Sequence, residues 1–326
     1  TGSLTIPNSV KTIEDGAFSG CSSFSGSLSI STSCTKIGID AFSGCKKLVG
    51  SLTIPNSVTT LGEGCFYGCT GLTRSLTISI SLTKIEKDAF AGCSGLTGTL
   101  NIPNSVTLIH ENAFYNCHGL TGNLAIPNSV ERIYKNAFYG CSGLSGLTLP
   151  STLSSIYESA FSGCSGMKGT LSIPDVVKTV YKSSFSGCSG FTALKISNTA
   201  KTISDYAFFG CEGFTGALTI PSSVTSIGNY AFSGCRRFTG TLTIPSSVAT
   251  LLECAFQDCS GFTGLSIPNT FKDIYMGAFS GCSGFTSLTI PNSVKTIGIE
   301  AFSGCSGFTG TLTIPSSVST IKRSAF

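Results

Sequence analysis

The sequence has no tryptophan, and it holds only two histidines, His110 and His118, among its 326 residues. A serine or cysteine nucleophile ordinarily needs a nearby base with an orienting partner, and a zinc site needs four ligands in a tetrahedron. The carboxylates are scattered along the chain, so neither imidazole has neighbours that complete such an arrangement. We therefore expect no enzymatic activity, no metal site and no cofactor.

Charge is also scarce. Charged residues make up 11% of the chain, and the net charge of +4 includes no run of Lys or Arg longer than a pair. A nucleic-acid groove or a basic membrane-binding patch needs concentrated positive charge, which this distribution does not supply. Although 41% of the residues are hydrophobic, no apolar run approaches the ~18 residues that a membrane span needs. We expect neither a nucleic-acid partner nor membrane insertion of these residues.

What the sequence does contain is a repeat. Its unit is 23 or 24 residues long. A fixed period of this length is typical of a solenoid, in which each coil contacts only its neighbours. One unit cannot bury its apolar positions alone, so we expect stability to come from the stacking of successive coils. The repeat is marked by thirteen cysteines, most of them preceded by glycine, at intervals of 23 or 24 residues: Cys21, Cys45, Cys69, Cys93, Cys117, Cys141, Cys164, Cys188, Cys211, Cys235, Cys259, Cys282 and Cys305.

The pattern inside a unit predicts one short strand followed by turns. Leu52, Ile54 and Pro55 illustrate the strand, because apolar residues alternate with period two and the proline cannot donate to a β-ladder. This predicts about four strand residues, parallel to their equivalents. Glycine and serine interrupt the segment from Val58 to Cys69, which predicts turns and short 3₁₀ segments. Four units are one residue shorter, and we expect a surface turn to take up the difference ahead of Leu147, Leu194, Leu265 and Leu288.

Two stretches carry a family resemblance. The sequence Ile-Pro-Asn-Ser-Val at Ile54–Val58 and the sequence Ala-Phe-Ser-Gly-Cys-Ser-Gly-Phe at Ala301–Phe308 recur along the whole chain. They resemble the BspA-like leucine-rich repeats of bacterial and protozoan surface proteins. Local departures from the motif place serine for proline at Ser31, Ser79 and Ser197, cysteine or alanine for valine at Cys34 and Ala200, and serine for alanine at Ser184.

The resemblance implies both a fold and a role. The fold is a leucine-rich-repeat solenoid, a right-handed curved superhelix of about 14 coils of 23–24 residues, with parallel short strands on the concave side and turns on the convex side. The implied role is non-enzymatic adhesion on the cell surface or in the secreted state. Its partners would be extracellular-matrix or plasma proteins, or other cells.

The repeat runs from one end of the sequence to the other without a linker. We expect residues 1–326 to form a single leucine-rich-repeat array, a fragment of a longer chain without caps. Exposed terminal coils normally need a polar cap. Uncapped ends therefore leave end-to-end self-association open.

The cysteine column has three possible interpretations: a disulfide framework, a metal site or a ladder of buried free thiols. Coils about 4.8 Å apart point their thiols the same way, whereas a disulfide needs facing Cβ atoms near 3.8 Å. A straight column does not form a tetrahedron either. We favour buried free thiols that pack as small apolar groups. Cys254 stands outside this column, among polar equivalents, and is predicted to be the most exposed thiol.

Residue diversity is greatest directly after the second Ile of the unit. Tyrosine offers a large contact area with a polar tip and is enriched in binding hot spots. The equivalent positions hold Glu86, His110, Tyr134, Tyr157, Tyr181, Ser204 and Gly228. We take His110, Tyr134, Tyr157 and Tyr181 as candidate binding residues; the alternative is that stacked rings extend the core sideways. Further candidates for the same side are Tyr67, Tyr115, Tyr139, Tyr206 and Tyr230.

The outward strand positions are small and polar, as in Ser51, Thr53, Ser75 and Thr77. Threonine is favoured on a half-exposed strand, and a lattice of hydroxyls could also order water or bind a glycan.

The sequence is compatible with two functions. One is a binding solenoid that offers repeated weak sites to proteins or glycans; the other is a structural spacer, coat or fibre. Uniform strand columns favour the spacer, and the varied tyrosine column favours the binding solenoid.

Overall fold

A computed structural model describes residues 2–326, except for the side chain of Thr250. The chain divides into two compact units, Thr1–Lys168 and Gly169–Phe326. Each unit is a parallel-strand β-solenoid, and the coils of the two units together number about 14. Residues 2–326 contain no helix, and therefore no helix that could cross a membrane.

The first unit contains fourteen short strands, two in each coil. The first strands of its coils are β1 (Leu4–Thr5), β3 (Leu28–Ser29), β5 (Leu52–Thr53), β7 (Leu76–Thr77), β9 (Gly98–Thr99), β11 (Leu120–Ala125) and β13 (Leu144–Thr148). The second strands are β2 (Thr12–Ile13), β4 (Lys36–Ile37), β6 (Thr60–Leu61), β8 (Lys84–Ile85), β10 (Leu108–Ile109), β12 (Arg132–Ile133) and β14 (Ser155–Ile156).

The second unit has eleven strands and follows this plan, except that three of its coils have only the second strand. Its first strands are β15 (Gly169–Ser172), β17 (Phe191–Lys195), β20 (Thr241–Thr243) and β22 (Gly264–Ser266). Its second strands are β16 (Thr179–Val180), β18 (Thr202–Ile203), β19 (Ser226–Ile227), β21 (Thr250–Leu251), β23 (Asp273–Ile274), β24 (Thr296–Ile297) and β25 (Thr320–Ile321).

Equivalent residues of successive coils stand opposite each other. Leu52 pairs with Leu76, and Ile109 pairs with Ile133, always in parallel strands. The predicted parallel, in-register stacking is therefore confirmed. The predicted length of about four residues is wrong for most coils, because many strands end after two residues. The prediction also lacks the second short strand, which forms in each coil before the turns.

The shorter units are accommodated inside a strand. Gly122 of β11 pairs with Leu144 of β13, whereas the next residue, Asn123, pairs with Gly146, so the ladder skips one residue. A bulge of the same kind separates Gly169 from Thr170 where β15 pairs with β17. The expectation that a surface turn absorbs the missing residue is wrong at these two sites, because a bulge lets the following leucines return to register.

The segment between the second strand and the cysteine consists of turns that are tied to the next coil. The Ser43 N–H donates to the carbonyl of Asp40 at 3.0 Å, whereas the neighbouring Phe42 N–H donates to the carbonyl of Cys65 in the next coil at 2.8 Å. A 3₁₀ helix needs consecutive bonds of the first kind. Every second N–H here bonds between coils, so the predicted 3₁₀ segments do not form within residues 2–326.

Two positions in each coil have a left-handed backbone. One is the glycine before the repeat cysteine, with a φ of 72° at Gly44, and Asn116 and Asp258 replace it with φ values of 55° and 57°. Glycine, asparagine and aspartate tolerate this region best. The other position lies two residues before the repeat phenylalanine, with φ of 50° at Asp40 and 54° at Asn112. The recurrent Gly-Cys pair is thus a backbone requirement of the turn.

The core contains a phenylalanine column. Phe42 and Phe66 are stacked with ring centroids 5.2 Å apart, and Phe232 and Phe256 are stacked at 5.1 Å. These four side chains are buried. Aromatic contacts of this kind add to the free energy of burying the rings. The column confirms that stacking between coils builds the core.

The repeat cysteines are buried, except for the half-exposed Cys21. The prediction for Cys254 is wrong, because this residue is only 6% exposed. Its φ of 54° places it in the second left-handed column, and its thiol is hydrogen-bonded to the Tyr230 side chain. The residues at the same repeat position in other coils are mostly polar, which indicated a surface position. They are polar because this position needs residues that tolerate a left-handed backbone.

Serine replaces proline in three coils by forming its own turn. The Ser79 hydroxyl donates to the carbonyl of Val58 at 2.8 Å and accepts a hydrogen bond from the Ser81 N–H at 3.2 Å. Ser31 accepts an equivalent bond from the Ser33 N–H at 2.9 Å. A serine side chain that bonds two residues ahead holds a turn much as proline does, so the departures keep the coil intact.

Candidate functional site

The first candidate surface lies in the first unit, directly after strands β10, β12 and β14. We call it the Tyr134 column, and it consists of His110, Tyr134 and Tyr157. The Tyr134 and Tyr157 N–H groups donate to the carbonyls of Ile109 and Ile133, each at 2.9 Å, one coil earlier. Because the same backbone bond recurs in each coil, the side chains of this column take the same position in successive coils.

The rings of this column are stacked on one another. The His110 and Tyr134 centroids are 5.0 Å apart with planes 4° from parallel, and those of Tyr134 and Tyr157 are 5.1 Å apart with planes 15° from parallel. All three residues are half-buried. Tyr181, the fourth candidate, holds the equivalent position after β16 in the second unit and is also half-buried.

A second aromatic column runs beside the first. Tyr115 and Tyr139, which follow the repeat phenylalanines, are stacked at 4.9 Å with planes 12° apart. Both are half-buried. Between the two columns, the Asn136 side-chain amide donates to the Asn112 side-chain oxygen at 3.0 Å. We call Tyr115 and Tyr139 the Tyr139 column.

Stacking determines which part of each ring faces solvent. Coils follow one another at about 4.8 Å, close to the centroid distances, so the rings lie one above another along the stacking direction. His110 and Tyr157 cover the two faces of Tyr134. The outward surface of the Tyr134 column is therefore made of ring edges and hydroxyl groups, and ring edges carry partial positive charge.

Charged groups border the columns. The Arg132 guanidinium is hydrogen-bonded to the Tyr134 side chain, and this bond raises the pKa of Arg132 above its usual value. The Lys135 ammonium lies 3.4 Å from a Glu158 carboxylate oxygen. Arg132 and Lys135 are exposed and Glu158 is half-exposed, so these two pairs orient side chains more than they stabilise the fold.

A separate depression lies in the first unit, on three earlier coils. It has a volume of about 370 Å³ and is lined by Ile39, Asp40, Ser43, Glu63, Gly64, Tyr67, Lys87 and Asp88. Tyr67 is 51% exposed and Ile39 is 47% exposed. We call it the Tyr67 depression. Of these residues, only Tyr67 is predicted from the sequence. Gly64 between Asp40 and Asp88 at one repeat position is a sequence signal for the rest.

Comparisons with known proteins agree on the repeat class. The family model described as "BspA type Leucine rich repeat region (6 copies)" matches residues 1–121, 120–236 and 214–326. The chain belongs to the BspA-type leucine-rich-repeat family. The expected family and the solenoid fold are confirmed. A comparison with curated protein sequences finds no match.

Three solved structures of bacterial leucine-rich-repeat proteins resemble the BspA-type chain over almost its whole length. A leucine-rich cell surface protein from Faecalibacterium prausnitzii A2-165 has a TM-score of 0.64 and 26% identity, covering 99% of this chain and 89% of its own. A leucine-rich-repeat protein from Bacteroides ovatus ATCC 8483 has a TM-score of 0.61 and 23% identity, covering 93% and 70%. A third, from Eubacterium ventriosum ATCC 27560, has a TM-score of 0.58 and 21% identity, covering 100% and 88%.

The polar chemistry of the BspA-type coils is sparse. His110 Nε2 is buried and lacks a hydrogen-bond partner within residues 2–326, so no carboxylate orients that ring nitrogen. In the same part of the chain, no group of three or more His, Cys, Asp and Glu residues could hold a metal ion. The surface instead offers stacked rings, hydroxyl groups and a few ion pairs, which suit recognition of a partner.

Tyr206 and Tyr230 form a pair of their own in the second unit. Their rings are stacked at 5.0 Å, and the edge of Phe209 meets Tyr206 at 5.7 Å. They occupy the left-handed position of their BspA-type coils, with φ of 57° and 53°, and not the repeat position of Tyr134. The hydrogen bond with Cys254 raises the pKa of Tyr230 to about 12.

Proposed function

We propose that this chain is a cell-surface or secreted binding scaffold without catalytic activity. In the first unit the Tyr134 column and the Tyr139 column, and in the second unit Tyr181, are the residues that we propose contact a protein partner. The observation that carries the proposal is the contrast between two aromatic columns. The phenylalanine column is buried, whereas Tyr134 and Tyr157 are stacked with equal regularity but remain half-exposed. A stack that served the core alone would gain from full burial.

The ring geometry favours a protein over a glycan as the partner of these columns. Sugars bind aromatic residues by lying on an open ring face, and the faces of Tyr134 are covered by His110 and Tyr157. Exposed ring edges and hydroxyl groups instead suit the aromatic faces, carbonyls and carboxylates of a protein surface. Adhesion to an extracellular-matrix or plasma protein is the role we propose, supported by the similarity to a protein described as a cell surface protein.

The test is a binding panel at physiological salt, with matrix proteins, plasma proteins and glycans as immobilised ligands. The wild-type chain is compared with a Tyr134→Ser/Tyr157→Ser/Tyr181→Ser variant. We expect wild-type binding to at least one protein of the panel, weakened at least about tenfold in the variant because hot-spot rings contribute 2 kcal/mol or more each. Equal affinity of the two proteins, or binding to glycans alone, would contradict the proposal.

A matched control comes from the same repeat position in another coil. Tyr275 follows β23 as Tyr134 follows β12, and it is exposed, but it lies outside the Tyr134 column. Tyr275→Ser should bind the partner within about twofold of wild type, since isolated surface substitutions have small effects. Thermal unfolding of all three proteins shows whether the triple variant is still folded.

A structural spacer, coat or fibre is the second candidate, favoured by the uniform first strands. The Ser75 hydroxyl donates to the Ser51 hydroxyl at 3.2 Å, and the Ser27 hydroxyl donates to that of Ser3 at 3.1 Å, so this face carries hydrogen-bonded hydroxyl columns and few charges. Light scattering across a concentration series separates the roles. Polymers together with an empty binding panel would favour the structural role.

A further inference from the structure

We propose that the Tyr67 depression is a second recognition site, separate from the Tyr134 column, and that it takes an arginine side chain of a protein partner. It combines an open aromatic face, an exposed apolar side chain and three carboxylates around Gly64, over which the Asp40 carboxylate extends. The proposal uses none of the residues of the Tyr134 or Tyr139 column.

The open ring face follows from the neighbours of Tyr67 in the stack. In the Tyr139 column each tyrosine has a tyrosine neighbour, whereas the equivalents of Tyr67 one coil before and after are Ser43 and Ala91. Neither side chain is large enough to cover a phenol ring. The face of Tyr67 is therefore open to a planar cation, in contrast with the covered faces of Tyr134.

The depression itself exists because of one glycine. Gly64 has a φ of 59°, and the same repeat position holds Asp40 in the coil before and Asp88 in the coil after. In later coils Asn112 and Asn136 fill this position at φ of 54° and 55°. Aspartate thus holds this position in the coil before and in the coil after, with backbones about 10 Å apart because two coil spacings separate them. The Asp40 carboxylate extends over Gly64, into the place that a side chain of residue 64 would take.

Charge complementarity selects the occupant. The lining includes Asp40, Glu63 and Asp88 and one cationic residue, Lys87, so its net charge at neutral pH is −2. Within residues 2–326, no group of three or more His, Cys, Asp and Glu residues is placed so that it could hold a metal ion. A guanidinium is planar, stacks on a tyrosine face and donates to carboxylates on more than one side. Ile39 offers apolar surface to its methylene stem.

The test uses the whole chain labelled with 3-fluorotyrosine, which gives one fluorine signal for each of its nine tyrosines. The probe is the capped peptide acetyl-Gly-Arg-Gly-amide, and its control is the same peptide with citrulline, which has the shape of arginine without the charge. Loss of a signal in Tyr67→Phe assigns residue 67. We expect the Tyr67 signal to shift saturably with the arginine peptide at millimolar concentration, and by less than a fifth as much with citrulline.

Two variants locate the site. Gly64→Asn fills the depression with a residue that Asn112 and Asn136 show to be accepted at this φ. Its Cβ would displace the Asp40 carboxylate, which is the movable end of a side chain, and the new amide can then donate to it as Asn136 donates to Asn112, so the variant should fold and abolish the shift. Asp40→Asn/Asp88→Asn should weaken binding at least about fivefold while keeping shape. An unmoved Tyr67 signal, an equal response to citrulline, or full binding by Gly64→Asn would each overturn the proposal. Failure here leaves the Tyr134 column untouched, because the two sites share no residue.

Discussion

The Cys141 thiol donates a hydrogen bond of 3.1 Å to the carbonyl oxygen of Phe114, which lies one coil earlier and 27 residues back in the sequence. The same bond recurs along the ladder, for example from Cys93 to Phe66 at 3.0 Å and from Cys259 to Phe232 at 3.1 Å. A thiol is a weak donor, and the Phe114 carbonyl also accepts the Cys117 N–H at 3.2 Å, so the thiol adds a second hydrogen bond to this oxygen. The cysteine column therefore ties the turn of each coil to the turn of the coil before.

Thiol labelling tests this arrangement. Burial raises the pKa of the Cys141 thiol to about 12, and it also raises the pKa of Cys235 and Cys282. The thiolate is the reactive species, so at pH 8 only the half-exposed Cys21 should react quickly with a disulfide reagent in the native protein. Unfolding in urea should expose all 16 cysteines. Rapid labelling of many thiols before unfolding would contradict the buried ladder.

The same pKa shifts predict a loss of stability at high pH. The pKa of Cys141 rises from 9.0 in the unfolded chain to about 12 in the folded one, so the folded state holds its proton more tightly. Its stabilising contribution is complete below pH 9 and is lost as pH rises toward 12. We expect the midpoint of urea unfolding to fall steadily above pH 9. A flat profile between pH 9 and pH 11 would show that these thiols are not buried in the folded protein.

The phenylalanine column predicts a large core effect at Phe161. Its ring is fully buried and is stacked on Phe138 at 5.3 Å. Phe161→Ala should lower the free energy of unfolding by about 3 to 5 kcal/mol through lost burial and a cavity. Phe209→Ala is the matched control, because Phe209 is an exposed ring, and it should cost about 1 kcal/mol or less. Equal losses in chemical denaturation would place Phe161 outside the stacked core.

The glycine before the repeat cysteine predicts a backbone effect. Gly210 has a φ of 67°, and a Cβ there would have open space around it, so only conformation is at stake. Gly210→Val should destabilise the protein by about 1 to 3 kcal/mol, because β-branched residues avoid this region. Gly210→Asn copies Asn116 and should cost clearly less. Comparable stability of the two variants would show that the turn does not need a left-handed residue.

How far the sequence predicts this protein is visible in particular residues. The repeat of Leu52, Ile54, Phe66 and Cys69 was enough to predict a solenoid with parallel, in-register coils, because an apolar side chain repeated at one spacing is buried only against its own equivalents. The same repeat predicted that the cysteines are buried and that Tyr134 and Tyr157 are stacked neighbours. The BspA-like resemblance came from the same residues.

Tertiary structure decided what a linear pattern does not contain. The left-handed backbone at Cys254 and Tyr206 depends on hydrogen bonds to the next coil, which the sequence does not show. The polar residues at the same position in other coils therefore predicted an exposed Cys254, whereas it is buried. The shorter coils placed their bulge where β11 meets β13, because the strands had to return to register. Which ring faces are open depends on the size of the neighbours one coil away: Tyr134 is covered on both faces by aromatic rings, whereas Ser43 and Ala91 are too small to cover Tyr67.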